Sequence, residues 1–214
     1  MSNILLANPV LEDGWIDLSV GEPHLVRENL LKCIKLKDIN TSSLEFKYPS
    51  PAGHEELVKI LEDKYGYPVV ITNGAKQAIG ATFYAMQKML IRDVGMRNPF
   101  WALMPELAEM HGIKLSTRYG DTFGDGLLDG ELVISPNNPD GFEQDLISIE
   151  KACNDKSVFM LHDGAYYTKI YTDNCTGVFG DVQVYSGSKM YGLSSMRFGF
   201  AVCKNQTAYK HILH

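Results

Sequence analysis

Short apolar runs alternate with helix-patterned segments along most of this chain, and that alternation limits its fold more than any other feature. Val69-Val70-Ile71-Thr72, Glu131-Leu132-Val133-Ile134, Ser157-Val158-Phe159-Met160-Leu161, Val182-Gln183-Val184-Tyr185 and Phe198-Gly199-Phe200-Ala201-Val202 read as strands. They are short, rich in β-branched or aromatic residues, and several are apolar without a break, the pattern of strands covered on both faces. Ile113 to Tyr119 is a further candidate. Between them, apolar residues at helical spacing mark helices over Gly53 to Tyr65, Ala75 to Ile91, Pro105 to Met110 and Leu146 to Ala152. An earlier helix begins at Pro23, a residue suited to a first helical turn, and carries Leu25, Val26, Leu30, Leu31 and Ile34. Strands alternating with helices predict an α/β fold, a three-layer sandwich with a mostly parallel central sheet.

Composition narrows the function classes. With 214 residues, 45% of them hydrophobic, the chain can bury a real core as one domain, or as one domain with an arm. Charged residues are 21% with no low-complexity tract or block of like charge, which argues against a disordered or nucleic-acid-binding tail. A net charge of −6 and no basic face argue against nucleic acid as a partner. Four scattered cysteines without a C-x-x-C pair predict neither a metal site nor a disulfide framework. The first residues lack the pattern of a signal peptide, and no apolar run is long enough to span a bilayer. The expectation is a cytoplasmic protein with no membrane and no nucleic-acid partner.

In open α/β sheets, ligands collect at the carboxyl ends of the strands. Four predicted strands deliver polar groups there. The first is followed by Asn73-Gly74-Ala75-Lys76, which opens the long helix, and the second by Ser135-Pro136-Asn137-Asn138-Pro139-Asp140-Gly141. His162-Asp163-Gly164-Ala165-Tyr166-Tyr167 follows the third, and Ser186-Gly187-Ser188-Lys189 the fourth, with Arg197 just beyond. Each alone is ordinary turn chemistry; four at one edge suggest a site.

Gly74 and Ala75 would present backbone N–H groups at a helix start, where the helix dipole favours an anion. Ser186, Ser188 and Arg197 would add hydroxyl and guanidinium donors. The Lys189 amine can condense with an aldehyde and later move protons. An aldehyde and a phosphate on one small molecule point to pyridoxal phosphate (PLP). Asp163 would hold its pyridine nitrogen protonated, and Asn138 and Tyr166 would hydrogen-bond its phenolic oxygen.

These residues resemble the fold-type I, class I/II PLP-dependent aminotransferases over almost the whole chain. The matching segments run in the family's order. They are Asp17 to Pro23, Tyr48-Pro49-Ser50-Pro51-Ala52-Gly53, Thr72-Asn73-Gly74-Ala75-Lys76-Gln77-Ala78-Ile79, and Pro99-Phe100-Trp101. Pro136 to Gly141, Asp163-Gly164-Ala165-Tyr166, and Ser186 through Gly199 complete the set. The resemblance implies that Trp101 stacks on the pyridine ring. It also implies that Tyr48 reaches the phosphate of a neighbouring subunit, so the working unit is a homodimer. The segments around Asn138 and Asp163 look closer to the alliinase and tryptophan-aminotransferase branch.

One departure stands out. In the family a smaller C-terminal domain follows the strand after Arg197 and carries the arginine that clamps the substrate carboxylate. Here residues 1–45 are expected to form an arm and first helix, 46–205 the cofactor domain, and 206–214 only the start of a connecting helix. The leading expectation is an aminotransferase passing an amino group between an amino acid and a 2-oxo acid. A PLP-dependent lyase or decarboxylase, and a PLP-binding protein or fragment with little turnover, are the alternatives.

Overall fold

A computed structural model describes residues 48–119 and 128–214. The expected helix from Pro23, the arm over residues 1–45 and the segment Asp17 to Pro23 lie outside the described residues. Seven strands form one sheet: β1 (Val69–Thr72), β2 (Asp93–Arg97), β3 (Lys114–Arg118), β4 (Gly130–Ile134), β5 (Phe159–Asp163), β6 (Val182–Ser186) and β7 (Gly199–Cys203). Their order across the sheet is β1-β7-β6-β5-β4-β2-β3. Neighbours from β6 through β3 are parallel, and only β7 runs against both of its neighbours. Because β7 opposes both, β1 points the same way as β6. The carboxyl ends of β1, β4, β5 and β6 therefore lie on one edge, where β7 begins.

The helices are α1 (Glu55–Tyr65), α2 (Ala75–Lys88), α3 (Met104–Glu109), α4 (Leu146–Lys156), α5 (Gly187–Met190) and α6 (Gln206–Ile212). Alternate strand residues serve opposite faces of the sheet. Leu132, Ile134, Val182, Val184, Ala201 and Cys203 join Ile79, Phe83 and Met86 of α2, Leu107 of α3, and Ala208 and Ile212 of α6 in one core. Val133, Met160, Tyr185, Phe200 and Val202 face the other way, onto Leu61 of α1 and Leu146 and Cys153 of α4. This is the three-layer α/β sandwich with a mostly parallel sheet. No helix among the described residues is long and apolar enough to cross a membrane, and no cluster of metal-binding side chains occurs among them.

Several element ends shift by a few residues from the sequence expectation, and three differences bear on the site or the sheet. Strand β2 is absent from it, because Asp93-Val94-Gly95-Met96-Arg97 has no continuous apolar run; its pairing with β3 and β4 makes it a strand. Strand β5 begins at Phe159 instead of Ser157, since Ser157 adopts the left-handed conformation (φ 57°) that ends α4. His162 and Asp163 are therefore strand residues, not loop residues. Lys189 lies in the short helix α5, directly after β6, and not in an open loop.

Candidate active site

Helix α2 begins without a side-chain cap, because its N-cap residue is Gly74, which offers no side-chain oxygen. The first N–H groups of a helix have no partner within it, and they attract negative charge. Gly74 itself does not supply one of these donors, contrary to the sequence expectation. Its N–H donates to the Thr72 carbonyl at 2.9 Å, so the donors available at this end begin at Ala75.

What Gly74 contributes is room. Its φ of 79° lies in the left-handed region, and a Cβ placed there would sit 2.6 Å from Nη2 of Arg197. Arg197 is itself held at φ 50°, with Nη1 donating to the Ser194 carbonyl at 3.1 Å. Gly199 allows the same approach from the other side, since a Cβ there would lie 2.5–2.6 Å from the backbone of Gly74 and Ala75. The two glycines thus bring the uncapped helix end and the guanidinium together. We expect Gly74→Ala to displace Arg197, cost roughly 1–3 kcal/mol of stability through strain, and weaken binding of inorganic phosphate or PLP about tenfold. Phosphate titration of the variant with unchanged affinity would show that the two groups do not share an anion.

That corner opens into a cavity of about 320 Å³ lined by Ala75, Lys76, Trp101, Asn138, Asp163, Tyr166, Ser186, Ser188, Lys189 and Arg197. Each of these ten is a candidate from the sequence. Ser194, Ile79, Ile134 and Ala165 complete the lining and are not among the candidates from the sequence. Tyr48 is fully exposed and does not line this cavity.

Asp163 ends β5 and is 5% exposed; its Oδ1 accepts the N–H of Ala165 at 3.1 Å. Burial raises its pKa from 3.8 to about 6, and the Ala165 hydrogen bond opposes this only in part. A cation brought to that carboxylate would be strongly favoured. Lys189 places Nζ 5.6 Å from the centroid of the Tyr166 ring, and Tyr166 packs edge-on against Tyr171 at 5.1 Å. Burial, with the nearby Asp163 charge, raises the Tyr166 pKa and keeps it a neutral hydroxyl.

Asn138 is carried on a braced loop. Asn137 donates through Nδ2 to the Pro99 carbonyl at 2.9 Å and to Asp140 at 2.6 Å, and Arg97 donates to the other Asp140 oxygen at 2.8 Å. Partial burial would raise the Asp140 pKa, but these donors and the Phe142 N–H together hold it down at about 2. The peptide bonds Asn98-Pro99, Ser135-Pro136 and Asn138-Pro139 are all cis.

Comparison with known proteins joins this geometry to a family. The family model described as allinase matches residues 60–214, most of the chain. The chain belongs to the alliinase family. Tryptophan aminotransferase-related protein 2 of Arabidopsis thaliana is 30% identical over 161 residues, covering 72% of this chain and 34% of that protein. The probable aspartate/prephenate aminotransferase of Aquifex aeolicus (strain VF5) is 26% identical over 234 residues, covering 90% and 57%. The alliin lyase of Allium cepa var. aggregatum is 36% identical over 84 residues, covering 39% and 17%.

The solved aspartate aminotransferase of Thermotoga maritima shares the fold, with a TM-score of 0.65 at 22% identity over 92% of this chain and 60% of that one. This member of the alliinase family therefore stands near the alliinase and tryptophan aminotransferase-related branch of the fold-type I aminotransferase-like proteins. The chain spans about a third of the Arabidopsis protein and under three-fifths of the Aquifex one.

The cofactor of this group is pyridoxal phosphate. The cavity fits it chemically. An uncapped helix end beside a guanidinium suits a phosphate, a desolvated carboxylate suits a pyridinium, and an amine stands nearby for the aldehyde.

Proposed function

We propose that this chain is a PLP-dependent aminotransferase that moves an amino group between an amino acid and a 2-oxo acid, with Lys189 as the covalent and proton-transfer residue. The observation that carries the reading is the meeting of Lys189, Asp163 and the Gly74–Arg197 corner in one cavity. When bound, pyridoxal phosphate supplies an aldehyde for the amino group and a ring that draws off electron density.

The residues divide the remaining work. Ala75 and Lys76, the Arg197 guanidinium, and the hydroxyls of Ser186, Ser188 and Ser194 would hold the phosphate. Asp163 would keep a proton on the ring nitrogen. Asn138 and the Tyr166 hydroxyl would serve the ring's phenolic oxygen, and Trp101 would pack against the ring. Lys189 removes and returns the substrate α-proton at Nζ.

The assembly belongs to the same proposal. Tyr48 is fully exposed and away from its own chain's cavity, a position that suits reaching a second copy, so we assign a homodimer; a cytoplasmic location is part of the same reading. Residues 46–205 make the cofactor domain, and residues 206–214 begin a connecting helix, of which α6 (Gln206–Ile212) is the helical part.

The test is titration of the PLP-loaded protein with a panel of amino acids, following cofactor absorbance, 2-oxo acid and ammonia. A transaminase releases one equivalent of 2-oxo acid per site and stops until an acceptor is added. The similarity to alliin lyase makes elimination the second reading: turnover would then continue without an acceptor and release ammonia. A protein that binds PLP tightly and converts no donor would instead be a cofactor-binding protein. A protein that stays colourless with added PLP would overturn the site.

A further inference from the structure

Beneath the cavity floor lies a histidine that none of the roles above uses. His162 is fully buried and points to the opposite face of the sheet from Asp163, its neighbour in β5. Its ring meets Tyr167 edge-on at 5.0 Å and Phe179 at 6.5 Å. Its Nε2 lies 3.1 Å from the carbonyl oxygen of Ser135.

The Ser135 carbonyl is where the sheet's hydrogen bonding breaks. Strands β4 and β5 pair in parallel up to Ile134 opposite Asp163, and the Ser135 N–H still donates to the Asp163 carbonyl at 3.3 Å. In a continued parallel ladder the next bond would run from the Ala165 N–H to the Ser135 carbonyl. That N–H is taken by Oδ1 of Asp163 at 3.1 Å, while the Gly164 N–H faces the other neighbour and continues the β6 ladder to the Val184 carbonyl at 3.0 Å. A buried carbonyl left without a donor is costly. Of β5, only the His162 side chain meets the Ser135 carbonyl.

We propose that His162, as the neutral Nε2–H tautomer, is a positioning residue. It replaces the missing ladder donor at Ser135, which leaves the Ala165 N–H to orient Asp163 and pins the base of the loop carrying Asn138. The inference rests on the aminotransferase-like reading of the cavity, since it concerns the two residues that would meet the cofactor ring. Burial supports it by lowering the imidazole pKa to about 4, outweighing the opposing contacts with Ser135 and Gln183, so the ring stays uncharged at neutral pH. The Ser135 hydroxyl adds a second brace to the loop base by accepting the Gln144 N–H at 3.0 Å.

The first experiment uses the wild-type protein without cofactor. Nitrogen-15 NMR of the histidine rings should show a buried imidazole protonated on Nε2 alone and unchanged between pH 5.5 and 8. A ring protonated on Nδ1, or titrating in that range, would overturn the proposal. The second compares His162→Gln, which keeps a donor, with His162→Phe, which keeps the ring shape and loses it. With PLP as probe, His162→Phe should bind about tenfold more weakly and shift the pH midpoint of cofactor absorbance, and His162→Gln should recover most of both. Where His162→Phe does not fold, the glutamine variant decides. Wild-type affinity and midpoint in it sustain the proposal, and a loss of both in a folded protein overturns it. Equal loss in the two variants, or none in His162→Phe, also overturns it. Failure of the wild type to bind PLP would overturn the functional reading instead, leaving the NMR result to stand alone.

Discussion

Lys189→Ala is expected to give a protein that still takes up pyridoxal phosphate but releases it on dialysis, and that borohydride no longer labels. The phosphate corner of Ala75 and Arg197 and the carboxylate of Asp163 are untouched by the change, so affinity falls without vanishing. The amine is a different matter. Loss of a positioned acid–base group alone costs about 10²–10⁴-fold in rate, and the covalent attachment is lost with it. Turnover with the best donor should therefore drop by at least about 10³-fold. Absorbance spectra before and after dialysis, with peptide mapping of the reduced wild type, check this directly. If the variant keeps the wild-type spectrum, another lysine does the chemistry.

Asp163→Asn should raise stability while removing function. In the cofactor-free protein Asp163 has a pKa of about 6, above its ordinary 3.8, because burial penalises its charge. The folded state thus holds this proton more tightly than the unfolded chain does. Stability is full below about pH 4 and declines as pH rises through 6, by up to about 3 kcal/mol for a shift of about two pH units. The neutral amide escapes that loss. At pH 7 the cofactor-free variant should melt higher than wild type, by about 2–4 °C for each kcal/mol recovered, and the difference should vanish near pH 4.

The loaded enzyme reverses the sign, because an amide cannot balance a protonated ring nitrogen. Activity should fall on the order of 10²–10³-fold, as when one electrostatic partner of a developing charge is removed. Thermal melts at both pH values, with and without PLP, separate the two effects. A variant less stable than wild type at pH 7 would contradict the origin assigned to this pKa.

Much of the fold was legible because strands covered on both faces must be apolar along their length. Strand β1 was read residue for residue, and β4 and β6 to within one residue of their ends. Strand β2 was not, since its two charged ends and central glycine are tolerated only through its pairing with β3 and β4. The site was legible for a related reason. In a parallel sheet, chemistry gathers just after the strands, so Asp163, Asn138, Ser186 and Lys189 announce themselves by position. Ser194, Ile79 and Ile134 do not. Ile134 and Ser194 lie close in sequence to Asn138 and Arg197, but their residue types carry no sign of a site role, and Ile79 reads as an ordinary core residue of α2. The pairing of Gly74 with Thr72, which withdraws one expected donor, was equally invisible. So was the work assigned to His162, which depends on a hydrogen bond that β5 fails to make.

The placement of β7 has a consequence for how the protein is made. Among the described residues β1 pairs with β7 alone, and within the sheet β7 is what separates β1 from β6, the strand that leads into the lysine-bearing α5. During synthesis, β1 must wait for a partner more than a hundred residues downstream, the kind of distant pairing that slows folding. Until Gly199–Cys203 has slid between its two neighbours, the ribosome carries two half-sites with no common floor. A nascent chain should therefore acquire cofactor in a single late event, and the appearance of bound PLP would time the closing of the sheet.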